Sequence, residues 1–401
     1  MTVSQTPTAD DLRNALVDEI LGGQTLPAQV EQAMRRVPRD AFLPGLALEQ
    51  AYTDQAVTIK DNPDGPLALS CASVPSVVAM MLAQLDAQPG DNVLEVGAGT
   101  GYNAALLAEL VGAGQVTTVD IDSDVALHAR TTLNNAGYSR VKVIERDGLL
   151  SVWENAPYDG IIATVGVWDI PVAWWNQLAD GGRLVLPLRW RGQTQAVALT
   201  RRGNSLVSDD MELCGFVPII GQNGEKTQSL NAGNTIRIHY DEDQPVDVDA
   251  LTNTLTGSSP HEVLSDTRVG GEEPFDGVWL RATASDDRVC RLEVAPEALE
   301  KGLVRRPVIP VRSPALVDGG SLAYLIVHRE GADPERPFLL GAAAYGPNGK
   351  TLAHDLIAHI EAWGADRTAV PRLTVTPTVD AAGGLPGHMI SKPESQLTLT
   401  Y

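Results

Sequence analysis

Residues 92–103 read N-V-L-E-V-G-A-G-T-G-Y-N, and this stretch decides how the rest of the chain is read. Val93, Leu94 and Val96 form a short apolar run of the kind that makes a strand buried on both faces. Gly97, Gly99 and Gly101 follow. Ala104, Ala105, Leu106, Leu107 and Leu110 then fall at helical spacing. Strand, glycine turn and helix together open a Rossmann-like unit. Glycine lets the chain turn sharply and lets a ligand come close to the backbone. The spacing is G-x-G-x-G rather than the dinucleotide G-x-G-x-x-G, and an acid, Glu95, stands inside the strand end. That version suits a ligand with a sugar and an ammonium group better than a pyrophosphate. A glycine turn that serves packing alone is the competing reading.

The next stretch strengthens the ligand reading. Residues 114–120, G-Q-V-T-T-V-D, read as a second strand ending in a carboxylate. Asp120 falls about 20 residues beyond the glycines, where such folds set an acid against ribose hydroxyls. Helix-like sequence begins at Asp122, so an N-cap is the alternative role. Further strands are expected at 141–145, 158–164, 183–188, 196–201 and 216–220, with a short helix at 174–178. This alternation predicts an α/β doubly wound core. Upstream, residues 10–36 read as amphipathic helix broken at Gly22-Gly23, and 61–66 as a turn. A helix is expected over 75–85, with Pro75 in its first turn and Ser73 as a candidate N-cap. A hydroxyl just before a helix start can also stand where backbone N–H groups meet an anion. Residues 222–234 read as a polar linker. Strands beyond it are expected at 235–240, 277–283, 291–294, 321–328, 338–343, 372–376 and 396–401, with a helix at 350–363. The chain therefore divides, on its sequence, into 1–225 and an α+β module over 226–401.

Composition excludes several partners. The 401 residues carry a formal net charge of −21, with no basic footprint for a phosphate backbone or an anionic membrane. The polar, acidic start is unlike a signal peptide, and no apolar run has transmembrane length. Cys71, Cys214 and Cys290 are scattered and lack metal-site spacing, which fits a reducing cytoplasm. The histidines are dispersed, His354 and His359 included, so no metal site is expected. An anionic substrate would need local positive charge. Arg189 and Arg191 are candidates, with solvated surface arginines as the plainer reading.

Residues 36–221 resemble a protein-L-isoaspartate O-methyltransferase, a class I S-adenosylmethionine enzyme. The pieces that carry the resemblance are R-V-P-R-D-A-F-L-P, A-Y-T-D-Q-A, S-V-P, V-L-E-V-G-A-G-T-G-Y-N, the strand end at Asp120, R-D-G, Y-D-G-I-I-A-T, G-G-R-L-V-L-P and F-V-P-I-I-G, in that order. The fold implied is a Rossmann-like methyltransferase with an additional C-terminal α+β domain. The resemblance implies cofactor contacts from Ser70, Glu95, Gly97, Gly99, Gly101, Tyr102, Asn103, Asp120, Ile121, Asp147, Gly148 and Thr164. In that scheme Asp120 meets the ribose, and Asp147 with Gly148 meets the adenine. Ser73 is the catalytic positioning group, with Val74 and Pro75 beside it at the substrate. The triplet departs from the family's usual Ser-Gln-Pro or Ser-Ala-Pro, and Arg146-Asp147-Gly148 departs from Gly-Asp-Gly. Beyond 221, E-P-F-D-G-V-W-L, G-G-S-L-A-Y-L and L-P-G-H-M-I-S-K resemble the extra domain of methyltransferases from ribosomally made peptide pathways, the FxLD-type group included. That resemblance implies a cyclised precursor peptide as partner. It also implies methylation of a normal aspartate and collapse of the ester to an aspartimide or isoaspartate.

Overall fold

Val93–Val96 forms the middle strand of a parallel set, and its side chains show why it is apolar throughout. Val93 enters the core beneath the N-terminal helices, while Leu94 and Val96 enter a second core on the opposite face. With both faces covered, no position can be polar without a partner. The parallel strands lie in the order Lys142–Glu145, Val116–Asp120, Val93–Val96, Tyr158–Ala163 and Leu178–Trp190. Strand order reverses at Val93–Val96, the switch point at which open α/β sheets bind ligands beyond their carboxyl ends. This is a computed structural model, and it describes residues 6–62, 68–255, 259–330, 335–380 and 386–401. Residues 63–66 of the expected turn at 61–66 lie outside them, as does Leu385 of L-P-G-H-M-I-S-K.

The sheet continues antiparallel through Gln193–Arg202 and Ser205–Leu213. The chain then leaves it and comes back. Arg372–Pro377 pairs with Ser205–Leu213, and Ser395–Thr400 and His388–Ser391 extend the sheet to ten strands. A division at 225/226 therefore does not describe the sheets, because the last strands belong to the first one. Between departure and return lies a second, all-antiparallel sheet of seven strands. Along Ser321–Arg329, Leu322, Tyr324 and Ile326 face one core and Ala323 and Leu325 the other. The helix Val248–Leu255 covers the first core, and the helix Gly349–Ala365 covers the second.

Three expected elements differ. Residues 277–283 form a helix, not a strand. Its Val278, Trp279 and Ala282 enter the second unit's core, while Leu280 enters the first unit's, so it is apolar on two sides because it is wedged between them. Residues 216–220 do not complete the sheet. Pro218, which has no N–H to donate, makes only an isolated bridge to Gly166, and the segment crosses the face of the first unit. The expected linker at 222–234 contains the edge strand Glu225–Ser229 of the second sheet.

The two sheets meet at a hairpin tip. Arg191 and Gly192 both have positive φ, 49° and 77°, in the two-residue turn closed by Trp190 and Gln193. A Cβ on Gly192 would stand 2.7 Å from the backbone nitrogen of Arg291, so the tip abuts the second sheet. Arg191 is buried and points its fork at Asp243, at 2.6 and 2.8 Å, with Asp287 at 3.1 Å and Asp241 at 3.6 Å. The return hairpin adds a second tie. Lys392 is fully buried, its Nζ donating to the carbonyls of Trp168 and Arg189, and Asp169 accepts from Ser395 and the Glu394 N–H. Arg191→Ala would leave Asp241 buried beside a lost cation. We expect equilibrium denaturation to show a loss of about 3 kcal/mol, the low end for breaking a buried pair because Asp243 and Asp287 rehydrate. A loss below about 0.5 kcal/mol, the size of an ordinary surface change, would mean the ion cluster does not hold the sheets together.

Candidate active site

The glycine turn sits at the carboxyl end of Val93–Val96, and its conformation is demanding. Gly97 has φ 102°, and a Cβ there would lie 2.8 Å from Thr164 Oγ1, which donates to the Gly97 carbonyl at 2.8 Å. Gly99 also has positive φ, yet a Cβ there would meet nothing nearer than the Cys71 carbonyl at 3.9 Å. The space above Gly99 is therefore open, and it is part of a pocket. Ser70, Ser73, Glu95, Gly97, Tyr102, Asn103, Asp120, Ile121, Asp147, Gly148 and Thr164 line that pocket with Gly99.

Two expected residues lie elsewhere. Gly101 does not line the pocket; a Cβ there would meet Leu133 at 3.0 Å and the Ala129 carbonyl at 3.1 Å, so its glycine serves helix packing. Pro75 is buried as the first residue of the helix Pro75–Leu85 and lines neither the pocket nor the adjoining cleft. Val74 lines only the cleft. The N-cap is also Val74 rather than Ser73, and no side chain caps from that position. Asp54 takes the orphan N–H of Ser76 at 2.8 Å instead. Ser73 is thus free of the capping role, half-buried, and on the wall shared by pocket and cleft.

Several residues emerge only from the structure. Arg39 is buried and donates to the carbonyls of Ala51 and Ser73, each at 3.0 Å, with its guanidinium 5.1 Å from the centre of the Tyr102 ring. It ties R-V-P-R-D, A-Y-T-D and S-V-P together, although its neighbours gave it no distinguishing signal. Val217, Pro218, Ile219 and Ile220 form the partition between pocket and cleft. Leu69, Ile121 and Ile220 are 40%, 44% and 51% exposed, which leaves an apolar rim around the mouth. Arg189 lines the cleft and pairs with Glu225, whereas Arg191 is the buried seam residue and neither faces the cleft nor sits on the surface.

Electrostatically the pocket is acidic. Asp120 accepts from the Gly99 N–H at 3.2 Å and the Asp122 N–H at 3.1 Å, and burial raises its pKa above the ordinary value. Asp122, rather than Asp120, caps the helix Ser123–Asn135 and pairs with Lys60 at 2.5 Å. That removes the capping alternative for Asp120. Glu95 is fully buried and accepts from Asn103 at 2.7 Å and Thr118 at 2.6 Å. Asn103 Oδ1 is buried without a partner among the described residues. Carboxylates with an unpaired amide oxygen suit hydroxyl and cationic groups on a ligand, and they repel a pyrophosphate. Among the described residues no cluster of metal-binding side chains occurs, and no helix is long and apolar enough to cross a membrane.

Comparison with known proteins gives a consistent answer. The family described as protein-L-isoaspartate (D-aspartate) O-methyltransferase (PCMT) matches residues 12–224. The match ends one residue before the second sheet begins at Glu225. A protein-L-isoaspartate O-methyltransferase of Methanoregula boonei is 38% identical over 218 residues, 54% of this chain and 96% of that protein. One from Hyperthermus butylicus is 38% identical over 226 residues, 53% of this chain and 90% of that protein. A Plasmodium falciparum structure titled a beta-aspartate methyltransferase (PCMT) in complex with S-adenosyl-L-homocysteine is 17% identical, with a TM-score of 0.45 over 52% of this chain and 99% of that one. The cofactor of this family is S-adenosylmethionine. The open cradle above Gly99, the unpaired Asn103 oxygen and the acidic donor set fit its ribose, ammonium and sulfonium groups.

Burial pushes the Glu95 carboxyl up to about 7, against the lowering effect of its two hydrogen bonds. Its ordinary value is 4.5, so between the two values the folded protein keeps a proton that the unfolded chain releases. The resulting stability is present below pH 4.5 and is lost as pH rises through about 7. We expect the ligand-free protein to lose up to about 3 kcal/mol relative to Glu95→Gln on going from acid to mildly alkaline pH. Thermal denaturation of both proteins across that range checks it. Parallel curves would show that Glu95 ionises at its ordinary value.

Proposed function

The chain belongs to the protein-L-isoaspartate (D-aspartate) O-methyltransferase family, and from that premise we propose that it methylates the free carboxylate of L-isoaspartyl residues in polypeptides. One observation carries the reading: Ser73 and the 217–220 segment line the acidic pocket on one side and a cleft of about 1030 Å³ on the other. A polypeptide in the cleft can therefore bring a carboxylate to the pocket wall.

The cofactor supplies an electrophilic methyl group. The residues of this chain have a narrower task. An acceptor carboxylate is already ionised at neutral pH, so no side chain needs to take a proton from it. Rate then comes from holding acceptor and donor in line. In this assignment Asp120 accepts from the ribose hydroxyls, and Asp147 with Gly148 meets the adenine. Asn103 and Glu95 face the ammonium end. Arg39 fixes the backbone of Ser73, and the Ser73 hydroxyl orients the acceptor. In the methyl ester product, the neighbouring amide nitrogen attacks the ester carbonyl. The N–C bond forms, the C–O bond to methoxide breaks, and the amide proton leaves with it as methanol. The five-membered imide that remains can hydrolyse to ordinary aspartate, which is the logic of repair. A reducing, cytoplasmic setting agrees with three unpaired cysteines.

A second reading remains: methylation of a normal aspartate in one dedicated, cyclised precursor peptide, ending as aspartimide. One observation favours it. Residues beyond the family match, Arg237, Trp279 and Arg291 among them, build one wall of the cleft, and a pathway enzyme needs such added contacts. Mass spectrometry of paired peptides that differ only in Asp or isoAsp separates the readings. We expect methyl addition to the isoAsp member. Methylation confined to the Asp member would replace the first reading by the second.

The assigned roles predict a contrast between two variants. Asp120→Ala should weaken cofactor binding in calorimetry by roughly 1.5–3 kcal/mol. Ser73→Ala should keep binding and melting temperature and lose turnover, because Ser73 caps no helix. A destabilised Ser73→Ala enzyme with full turnover would return the residue to a structural role.

A further inference from the structure

The second sheet turns an unusual face to the cleft. Along Ile236–Asp241 and Val289–Val294, Ile236, Ile238, Leu292 and Val294 enter the hydrophobic core. Strand alternation sends the intervening Arg237, His239, Arg291 and Glu293 to the opposite face, where all four line the cleft. Register places them side by side, with Arg237 opposite Glu293 and His239 opposite Arg291. Arg189 approaches from the first sheet, and Arg312 stands just ahead of Ser313–Asp318.

These charges are incompletely balanced. Arg189 pairs with Glu225 at 2.8 Å, and Arg291 shares the same carboxylate at 3.8 Å. Glu293 takes both Arg237 and His239. Burial and the nearby Arg291 push the His239 pKa below its ordinary value, against the pull of Glu293, so the count rests on the arginines. Four guanidinium groups therefore face two carboxylates, in a chain whose formal net charge is −21. The Nε atoms of Arg189 and Arg291 are buried without a partner among the described residues. Folding alone does not account for this. The joint itself is made elsewhere, by Arg191 with its three aspartates and by the apolar Trp279 and Leu280 contacts.

We infer that this face is the recognition surface for the substrate polypeptide, and that Arg189, Arg237 and Arg291 bind a second carboxylate on it, so that the preferred substrate is an acidic peptide segment. The inference rests on the carboxyl-methylation reading and adds the substrate class to it. Ser73 and Val217 line both the cleft and the pocket, so one extended peptide can hold its acceptor against their shared wall and a flanking acid at the arginines. Planar guanidinium forks match carboxylates in a bidentate way, which supplies direction as well as charge. A volume of about 1030 Å³ suits a peptide of several residues, not a lone amino acid.

The test uses the full-length protein and two short labelled peptides. Each carries a single isoaspartate, flanked by glutamates in one and by glutamines in the other. Binding is followed by fluorescence anisotropy with S-adenosylhomocysteine present, so that no turnover intervenes. The glutamate peptide should bind about tenfold more tightly. Arg237→Gln and Arg291→Gln should each collapse the difference between the two peptides, with calorimetric cofactor binding as the check that the variants fold. Glu225→Gln, which frees Arg189 and Arg291, should widen the difference. Equal affinity of the wild-type protein for both peptides overturns the inference, as does a Glu225→Gln variant that behaves like Arg291→Gln. Methylation assays on the same peptides keep the two claims apart. Methyl transfer to both peptides with no acid preference sinks the recognition surface and leaves the activity standing. An acid preference in binding with no methyl transfer to either peptide sinks the activity and leaves the surface standing.

Discussion

The buried fork of Arg191 ties one sheet to the other, and the cleft is lined by residues of both. A guanidinium with a side chain only 2% exposed has lost most of its hydration, and that cost is recovered only if several acceptors surround it. Asp241, Asp243 and Asp287 do so from the second unit, while the backbone of Arg191 belongs to the first. Its left-handed conformation is a further cost, which the hairpin turn requires and the ion cluster offsets. An apolar contact of the same area would slide more easily, because dispersion has no direction. The fork fixes the register of the joint, and Lys392 in the return hairpin fixes the loop beside it. The pocket wall at 217–220 is held to the neighbouring loop by the backbone bonds of Val217 and Ile219 to Gly166.

Much of the first sheet was legible because its information is local. A buried parallel strand is continuously apolar, a sharp turn beside a ligand demands glycine, and the following helix repeats every three to four residues. Each signal sits within a dozen residues of the next. The parts that escaped are those settled by distant partners. Nothing in 277–283 distinguishes a strand from a short helix that is apolar on two sides because it lies between two cores. The return of 372–400 to the first sheet depends on the pairing of Thr374 with Val207, which no local pattern encodes. The edge strand Glu225–Ser229 read as linker because an edge strand may be polar on its exposed face without loss.

The candidate site divides along the same line. Glu95, Gly97, Gly99, Asp120, Asp147 and Thr164 lie at or just beyond strand ends, and their common location follows from topology once the strands are known. Gly101 looked the same in sequence, but its positive φ and its crowding by Leu133 belong to helix packing. Ser73 resembled a cap because hydroxyls so often precede helices. The cap was hidden in Asp54, twenty-two residues upstream of the N–H that it accepts. Arg189 and Arg191, two residues apart on one strand end, could not be separated from sequence. Arg189 is still on the strand and lines the cleft, whereas Arg191 is already in the turn and enters the seam.

Net charge and local charge answer different questions here. The total of −21 governs how the molecule is seen from beyond a Debye length, which is about 8–10 Å near physiological salt. Within the cleft the relevant count is arginines against Glu225 and Glu293, because groups a few ångströms apart and partly desolvated are little screened. An acidic polypeptide therefore approaches against a weak long-range repulsion and meets attraction only on entry. Added salt then acts with opposite sign on the two stages. It relieves the repulsion that slows encounter, and it weakens the pairing that delays release. A molecule of negative net charge around a positive site would also disfavour acidic chains that cannot reach inside, such as those held in folded structure. An unfolded or loop-like acidic segment can enter. Such segments are where an aspartyl residue has the backbone freedom to close an imide with its neighbour's nitrogen, so under the proposed recognition the cleft and the chemistry of the carboxylate would select the same kind of chain.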